Sequence, residues 1–255
     1  MDGFLLTYHG FEPGFEGLRE ALTSTGNGYL CTRGAAEWEE ADGVHYPGTY
    51  VHGGYNRETT ILSSVPVLNE DLVNMPNWLV LQLRIEGGEA IRLADVDLLG
   101  YRHELDIRYA TVVRHVRFRD LSGRETTLHS RRFVSMGDAH HAGIEWTLVP
   151  ENWSGRVEVV TAIDGRVSNG GVARYRQLEG RHLNPVSPRT FGLEVIALKP
   201  RPGSRICASA MRPAHAFSPL INASGSSGGC IRWRTISSRS SPSRCNRERR
   251  CGSRR

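Results

Sequence analysis

The spacing of hydrophobic residues first predicts a short helix near the N-terminus. Phe15, Leu18 and Leu22 recur at the intervals that place side chains on one side of a helix. The positions between them carry charged residues that can face water, namely Glu16, Arg19 and Glu20. This helix is expected to end near residues 25–28, where the sequence is TGNG.

The next forty residues show neither helical nor strand periodicity. They are rich in Gly, Asn, Pro and Tyr, as in residues 46–50 (YPGTY) and 53–56 (GGYN). Such composition is typical of turns and loops. The aromatic content favours ordered, packed loops over a flexible linker.

From Trp78 onward the period becomes two, which is typical of half-buried strands. Leu79, Leu81, Leu83 and Ile85 alternate with polar or smaller residues before a Gly-Gly turn at residues 87–88. Comparable strands are predicted at residues 111–119, 125–133, 144–149, 157–163 and 193–198. Many short strands with little helix predict a mainly β domain, a large antiparallel β-sandwich over residues 1–199.

Charge separates this domain from the rest of the chain. The net charge of +5 combines 21 basic and 26 acidic residues in residues 1–204 with 11 Arg and one acid in residues 205–255, so the two parts carry −5 and +10. Residues 200–255 also hold four of the five Cys and lack periodicity. They are predicted to be a Ser/Arg/Cys-rich, low-complexity, disordered tail, because they are too poor in apolar residues to form a core.

Composition also restricts location and partners. No run approaches the roughly 20 apolar residues of a membrane span, and residues 1–10 contain no signal core, so a cytoplasmic protein is expected. A disulfide framework is not expected, because Cys31 is alone in the first 200 residues. The basic tail could bind phosphate backbones, but it lacks interleaved aromatics, and nucleic acid is not an expected partner.

Two local motifs suggest chemistry, each with a structural alternative. The glycine-rich segment at residues 26–34 (GNGYLCTRG) could cradle phosphate, but its spacing matches no known phosphate loop and a turn is preferred. His140 and His141 with Asp138 could bind Zn²⁺, yet adjacent residues rarely face one ion, so a turn between strands is preferred. No cofactor or metal is expected.

Glycosidic-bond chemistry needs paired carboxylates, and sugar rings often stack on aromatic side chains. Carboxylate candidates by residue type alone are Glu37, Glu39, Glu40, Glu145 and Asp164, for which a solvated face is an equal explanation. The tryptophans considered are Trp38, Trp78, Trp146 and Trp153. Trp78 and Trp146 lie in or beside alternating strands and are assigned to the core.

Longer blocks carry a family resemblance. The runs GLREALTSTGNGYLCTRGAAEWEEADGVHYPGTYVHGGYNR, NEDLVNMPNWLVLQLRI, RHELDIRYATVVRHVRFRD, RRFVSMGDAHHAGIEWTLVPENWSG and AIDGRVSNGGVARYRQLEGRHL resemble the N-terminal domain of family 65 glycoside hydrolases. These include the maltose, trehalose and kojibiose phosphorylases. The resemblance spans about residues 4–198. Cys31 replaces the glycine usual in the GYLGTRG motif, and residues 37–40 (EWEE) are also a variant.

The resemblance implies an N-terminal β-sandwich of an inverting phosphorylase or hydrolase acting on α-glucosidic disaccharides. In that family the catalytic acid lies in a separate helical barrel, for which the 51 residues after residue 204 are too few. The chain is therefore expected to be truncated and inactive alone, with disaccharide and phosphate as ligands of the full-length parent. Residues from about 200 onward are interpreted as out-of-frame translation.

The alternative is a free-standing carbohydrate-binding or assembly module. Its loops would contact sugar, the missing barrel or a second subunit of a homodimer, since ordered loops on a rigid scaffold often carry such contacts. The candidate residues are Tyr46, Tyr50, Tyr55, Asn56, Asn74, Asn77 and Trp78.

Overall fold

A computed structural model describes residues 3–184 and, beyond them, the backbone of residues 189–191, 195–198, 201–202, 215–220 and 231–239. In chain order the elements are β1 (Leu5–His9), α1 (Pro13–Leu22), β2 (Thr25–Gly26), β3 (Leu30–Thr32), β4 (Thr49–Val51), β5 (Tyr55–Leu62), β6 (Val65–Leu72), β7 (Leu81–Ile85), β8 (Asp97–Asp106), β9 (Thr111–Arg119), β10 (Glu125–Val134), β11 (Ala142–Pro150), β12 (Val157–Thr161), β13 (Leu183–Asn184), β14 (Arg189–Phe191), β15 (Val195–Leu198), β16 (Arg201–Pro202), β17 (His215–Leu220) and β18 (Ile231–Arg239). Two short 3₁₀ turns cover Leu93–Asp95 and Ala173–Arg176.

One antiparallel sheet of nine strands forms the framework. Its order is β1-β8-β9-β10-β11-β18-β17-β15-β14. Smaller antiparallel groups, β2-β3-β4, β5-β6, β7-β12 and β13-β16, accompany it. The expectation of a mainly β, antiparallel sandwich with little helix is therefore confirmed.

The core lies on one face of this sheet. Alternate side chains of β9, β10 and β11 point inward, so Phe118, Leu128 and Trp146 are buried while their neighbours face outward. The inward side chains of β7, Leu81, Leu83 and Ile85, belong to the same hydrophobic cluster. The period-two strands predicted at residues 111–119, 125–133 and 144–149 are confirmed, as is the assignment of Trp78 and Trp146 to the core.

Several strands were not expected from periodicity. In strand β8 the buried side chains include the polar groups of Tyr101 and His103, and the pairing is irregular between Leu98 and Gly100. The alternation of hydrophobic and polar residues that marks a strand is therefore not visible in its sequence. The hairpin β5-β6 pairs only with itself and exposes much of both faces. The segment interpreted as loops, residues 29–68, therefore contains β3, β4, β5 and the first half of β6, because hydrogen bonding between strands forms without a strong hydrophobic pattern.

Helix α1 forms where it was predicted, but its orientation is the reverse of the expected one. Its charged residues Glu16, Arg19 and Glu20 are buried, whereas Phe15, Leu18 and Leu22 are each more than half exposed. The charged side has specific partners: Glu20 bonds His45, and Arg19 bonds Glu16 and the carbonyl of Gly10. These buried polar contacts fix the rotation of the helix, because leaving such groups without partners would be costly.

The interior also contains a buried charge cluster under the sheet. Arg132 Nη1 donates to Glu37 Oε1 at 3.0 Å and to the carbonyl of Ala35 at 2.9 Å, and Ser130 Oγ donates to Glu37 Oε2 at 2.9 Å. Arg114 bonds the carbonyl of Gly34. Burial, partly offset by Glu37, lowers the pKa of Arg132 to about 10. A solvated face, one explanation of Glu37, is therefore wrong: its carboxylate anchors residues 34–37 to the sheet.

Part of the predicted tail is described as backbone. Strand β17 pairs with β15 and β18, and β18 pairs with β11. The rest of residues 203–255 lies outside the described residues. The domain boundary near residue 199 and the assignment of an out-of-frame tail stay predictions. Within the described part of the chain, no helix is long and apolar enough to cross a membrane.

Replacing Glu37 with Gln should lower the free energy of unfolding by about 3–5 kcal/mol, because it leaves the buried Arg132 charge without its counter-ion. The matched control is Glu145→Gln, which breaks the Glu145–Arg131 pair on the outer face, where Arg131 is exposed. That control should change stability by about 1 kcal/mol or less. Urea denaturation measures both variants, and equal losses would contradict a structural role for the buried pair.

Candidate functional site

Loops at one end of the sandwich bring together Tyr46, Tyr50 and Asn74. The Tyr50 hydroxyl donates to the Tyr46 hydroxyl at 3.2 Å, and the Tyr46 hydroxyl donates to the Ser168 carbonyl at 3.3 Å. The Tyr46 hydroxyl also accepts a hydrogen bond from the Gly170 amide at 3.1 Å. Tyr46, on the loop before β4, and Tyr50, within β4, thus hold the segment that follows β12.

Asn169 is the centre of this arrangement. Its Oδ1 accepts from the Asn74 amide at 2.8 Å, while its Nδ2 donates to the Leu72 carbonyl at 2.8 Å and to the Tyr175 hydroxyl at 3.0 Å. The Asn74 side chain in turn accepts from the Thr49 amide at 2.9 Å and donates to the Ser168 carbonyl at 3.1 Å. The buried side chain of Asn169 therefore connects the segment that follows β6 with the segment that follows β12.

A cleft of about 570 Å³ opens beside Asn169, between the β5-β6 hairpin and residues 175–181. Most of its wall is polar, which suits hydroxyl-rich ligands. The lining residues are Thr59, Thr60, Ile61, Ser168, Asn169, Tyr175, Arg176, Gln177, Leu178, Glu179, Gly180 and Arg181.

Behind the tyrosines, a buried ionic contact supports the loop. His45 Nδ1 lies 2.8 Å from Glu20 Oε1, and Glu20 Oε2 accepts from the Tyr46 amide at 2.9 Å. Burial disfavours the charged imidazole, but the Glu20 hydrogen bond and the Glu39 charge outweigh it, so the pKa of His45 is raised above its ordinary value. Burial, reinforced by the Tyr46 hydroxyl, also raises the pKa of Tyr50, which acts here as a hydrogen-bonding group and not as a base.

The other predicted site residues are dispersed. The Tyr55 side chain is exposed at the start of β5. Asn56 is buried and bonds Glu58 Oε1 at 2.7 Å, with His182 Nδ1 at 3.2 Å. Its environment is thus a second polar cluster at the base of the hairpin.

Asn77 and Trp78 lie inside the core. The Asn77 backbone pairs with that of Asp164 at 2.8 and 2.9 Å, and Asn77 Oδ1 accepts from the Leu79 amide at 3.0 Å. Trp78 is buried. Both side chains therefore support the fold, and their role in a sugar or barrel contact stays a prediction.

Residue type alone does not single out Asn169 and Tyr175 as site residues. Both lie within the run SNGGVARYRQ, where residues 168–171 show the Asn-Gly composition of a turn. A turn motif alone does not reveal that Asn169 bonds a loop 95 positions away. The sequence does indicate that this run matters, because it belongs to one of the blocks that resemble family 65.

The two alternative motifs are turns, as preferred. Gly28 has φ of +84°, and Asn27 Oδ1 accepts from the Tyr29 and Leu30 amides, so residues 27–29 form a turn between β2 and β3, and β3 itself lies within the glycine-rich segment. Asp138 accepts from the His140 amide at 2.9 Å between β10 and β11. Residues 3–184 and the described strands beyond them contain no cluster of three His, Cys, Asp or Glu side chains suited to a metal ion.

Four more residues that were candidates for acid chemistry or sugar stacking contact other residues of the protein. Asp164 pairs with Arg166 at 2.9 Å, and Glu145 pairs with Arg131 at 2.6 Å on the outer sheet face. Trp38 packs beside Trp146 with ring centroids 5.8 Å apart. Trp153 Nε1 donates to the Glu125 carbonyl at 3.0 Å. Aromatic stacking on sugar is thus not the role of the buried tryptophans Trp38, Trp78 and Trp146.

The nine-stranded antiparallel sheet, its loop-covered core and the polar cleft define a β-sandwich domain. The N-terminal domain of glycosyl hydrolase family 65 matches residues 6–218. The chain belongs to this family. The match extends beyond residue 199, where the domain boundary was predicted.

Two relatives show how much of a family protein is present. An uncharacterized glycosyl hydrolase of Mycobacterium tuberculosis is 46% identical over 196 residues, which are 77% of this chain and 14% of the relative. Trehalose 6-phosphate phosphorylase of Lactococcus lactis subsp. lactis is 32% identical over 165 residues, which are 65% of this chain and 21% of the relative. The chain spans about a fifth or less of these proteins.

The fold has a counterpart among solved structures. A structure assigned as a kojibiose phosphorylase from the human microbiome superposes with a TM-score of 0.68 at 15% identity, covering 92% of this chain and 31% of that one. At this identity the likeness concerns the fold alone, and it agrees with the sandwich described above.

Replacing His45 with Gln should destabilise the protein more at about pH 5.5 than at about pH 9. The raised pKa means that the charged His45–Glu20 pair contributes fully below the ordinary histidine pKa of about 6.5. That contribution is lost as pH rises through the folded-state value. Urea denaturation at both pH values tests this, with exposed His52→Gln as the control. A loss independent of pH would contradict the ion pair.

Proposed function

We propose that this chain is the N-terminal portion of an inverting phosphorylase or hydrolase that acts on α-glucosidic disaccharides such as trehalose, maltose or kojibiose. The observation that carries the proposal is the family match over residues 6–218, combined with coverage of only 21% of a phosphorylase relative. Disaccharide and phosphate would then be ligands of the longer parent enzyme. A cytoplasmic location is part of the same proposal.

The chain alone is proposed to be inactive. Cleavage of a glycosidic bond requires one carboxyl group to protonate the leaving oxygen, and a nucleophile or base on the other side of the sugar. Among the described residues that line the cleft, Glu179 is the only carboxylate. Two buried acids, Glu37 and Glu20, already form hydrogen-bonded pairs with Arg132 and His45, respectively.

The purified 255-residue chain should produce no glucose 1-phosphate from trehalose, maltose or kojibiose with phosphate, and no glucose without it. The L. lactis trehalose 6-phosphate phosphorylase, assayed with its own named substrate, is the positive control. A rate above the no-enzyme blank that is abolished by Glu179→Gln would contradict inactivity and identify the cleft as a catalytic site.

A second candidate is a carbohydrate-binding module, and the polar cleft favours it. Tyr175 contributes an aromatic ring to the wall, and Ser168, Gln177 and Arg181 contribute hydrogen-bonding groups. Aromatic faces combined with a few polar groups are what sugar sites require. In this proposal Tyr46, Tyr50 and Asn74 hold the wall of the cleft in place from behind.

If the cleft binds sugar, calorimetric titration of the whole chain with kojibiose or trehalose should saturate, and Tyr175→Ala should abolish binding. Tyr109→Ala is the matched control, because Tyr109 is an exposed tyrosine in the turn between β8 and β9. The absence of saturable binding to the wild-type chain would leave the enzyme-fragment proposal standing and remove the module.

A further inference from the structure

The outward surface of α1 is unusual for a surface helix. All three charged residues of the helix, Glu16, Arg19 and Glu20, are buried. Every exposed position of the helix is apolar or glycine, namely Pro13, Gly14, Phe15, Leu18, Ala21 and Leu22. A helix on a free surface normally has the opposite arrangement, with its polar side in water.

The helix cannot turn to bury its apolar side. Glu20 is held by His45, and its backbone carbonyl accepts from the Gly34 amide at 2.7 Å. Arg33 Nη2 donates to the Gly17 carbonyl at 2.8 Å. Rotation would break these buried contacts together, so Phe15, Leu18 and Leu22 remain outward whatever surrounds the domain.

The spacing of the outward residues matches a helix-packing seam. Phe15, Leu18 and Leu22 follow the three-four interval of core positions in packed helices. Gly14 and Ala21, seven positions apart, flank them with small side chains, and a Cβ placed on Gly14 would meet nothing within 4 Å. Small flanking residues let a second helix approach closely.

We propose that this α1 face docks an amphipathic α-helix from the part of a family 65 chain that lies outside the segment represented here. The inference rests on the proposed function. The relatives contain about four-fifths or more of their length beyond the match, which supplies the missing cover. The face is also too small for a stable dimer: three such side chains expose on the order of 300 Å², whereas a stable interface buries about 800 Å² per partner. A tethered segment needs less area, because linkage raises its effective concentration.

The test is capture of a defined partner. The affinity-tagged 255-residue chain is co-expressed with the part of the L. lactis trehalose 6-phosphate phosphorylase outside its 165 matched residues, and a chemical cross-linker is added before lysis to trap the association, which is weak without a covalent link between the two parts. The wild-type chain should retain this partner, and the double variant F15E/L18E should reduce retention by about tenfold or more, as loss of central apolar contacts does at interfaces. Both substitutions are at exposed positions, and circular dichroism verifies the fold.

The control is the double variant V65E/L68E, which places the same charges at two similarly exposed apolar positions on the β5-β6 hairpin, outside the lining of the cleft, and should leave capture unchanged. Failure of the wild-type chain to capture the partner, or equal capture by F15E/L18E, overturns the docking face. Wild-type self-association that F15E/L18E abolishes also overturns it, in favour of a second copy. Catalysis by the chain alone would contradict the proposed function without affecting this result.

Discussion

The ion pair between Arg132 and Glu37 is the contact on which the rest of the domain depends. It lies beneath the central sheet strands and anchors residues 34–37 to them. From Gly34 the connection continues to Glu20 of α1, and from Glu20 to His45 and the Tyr46 amide. A chain of buried polar contacts therefore runs from the sheet through the helix to the loop that borders the candidate site, and each member is stabilised because its neighbours are satisfied.

These buried polar contacts explain why α1 turns its charged side inward and its apolar side outward. In most surface helices the hydrophobic effect selects the buried side. Here the interior next to α1 already contains Arg114, His103 and Tyr101, so charged partners fit there better than leucine would. The apolar residues are left at the surface of the domain, where they suit contact with further protein.

The family match, with its limited coverage of the relatives, underlies the proposal that this domain is part of a larger enzyme. A polar groove bounded by Asn169 and Tyr175 lies on the loop side, and the chain spans about a fifth or less of its relatives.

Sequence alone determined the class of fold and the family. Strict alternation at Leu81, Leu83 and Ile85, repeated in the strands at residues 111–119 and 125–133, predicts an antiparallel sandwich because one side of such a sheet is buried. The rotation of α1, the burial of Glu37 and the central position of Asn169 could not be predicted in the same way. Each depends on partners far apart in the chain, such as Arg132 and Asn74, and only tertiary packing decides which polar groups are enclosed together.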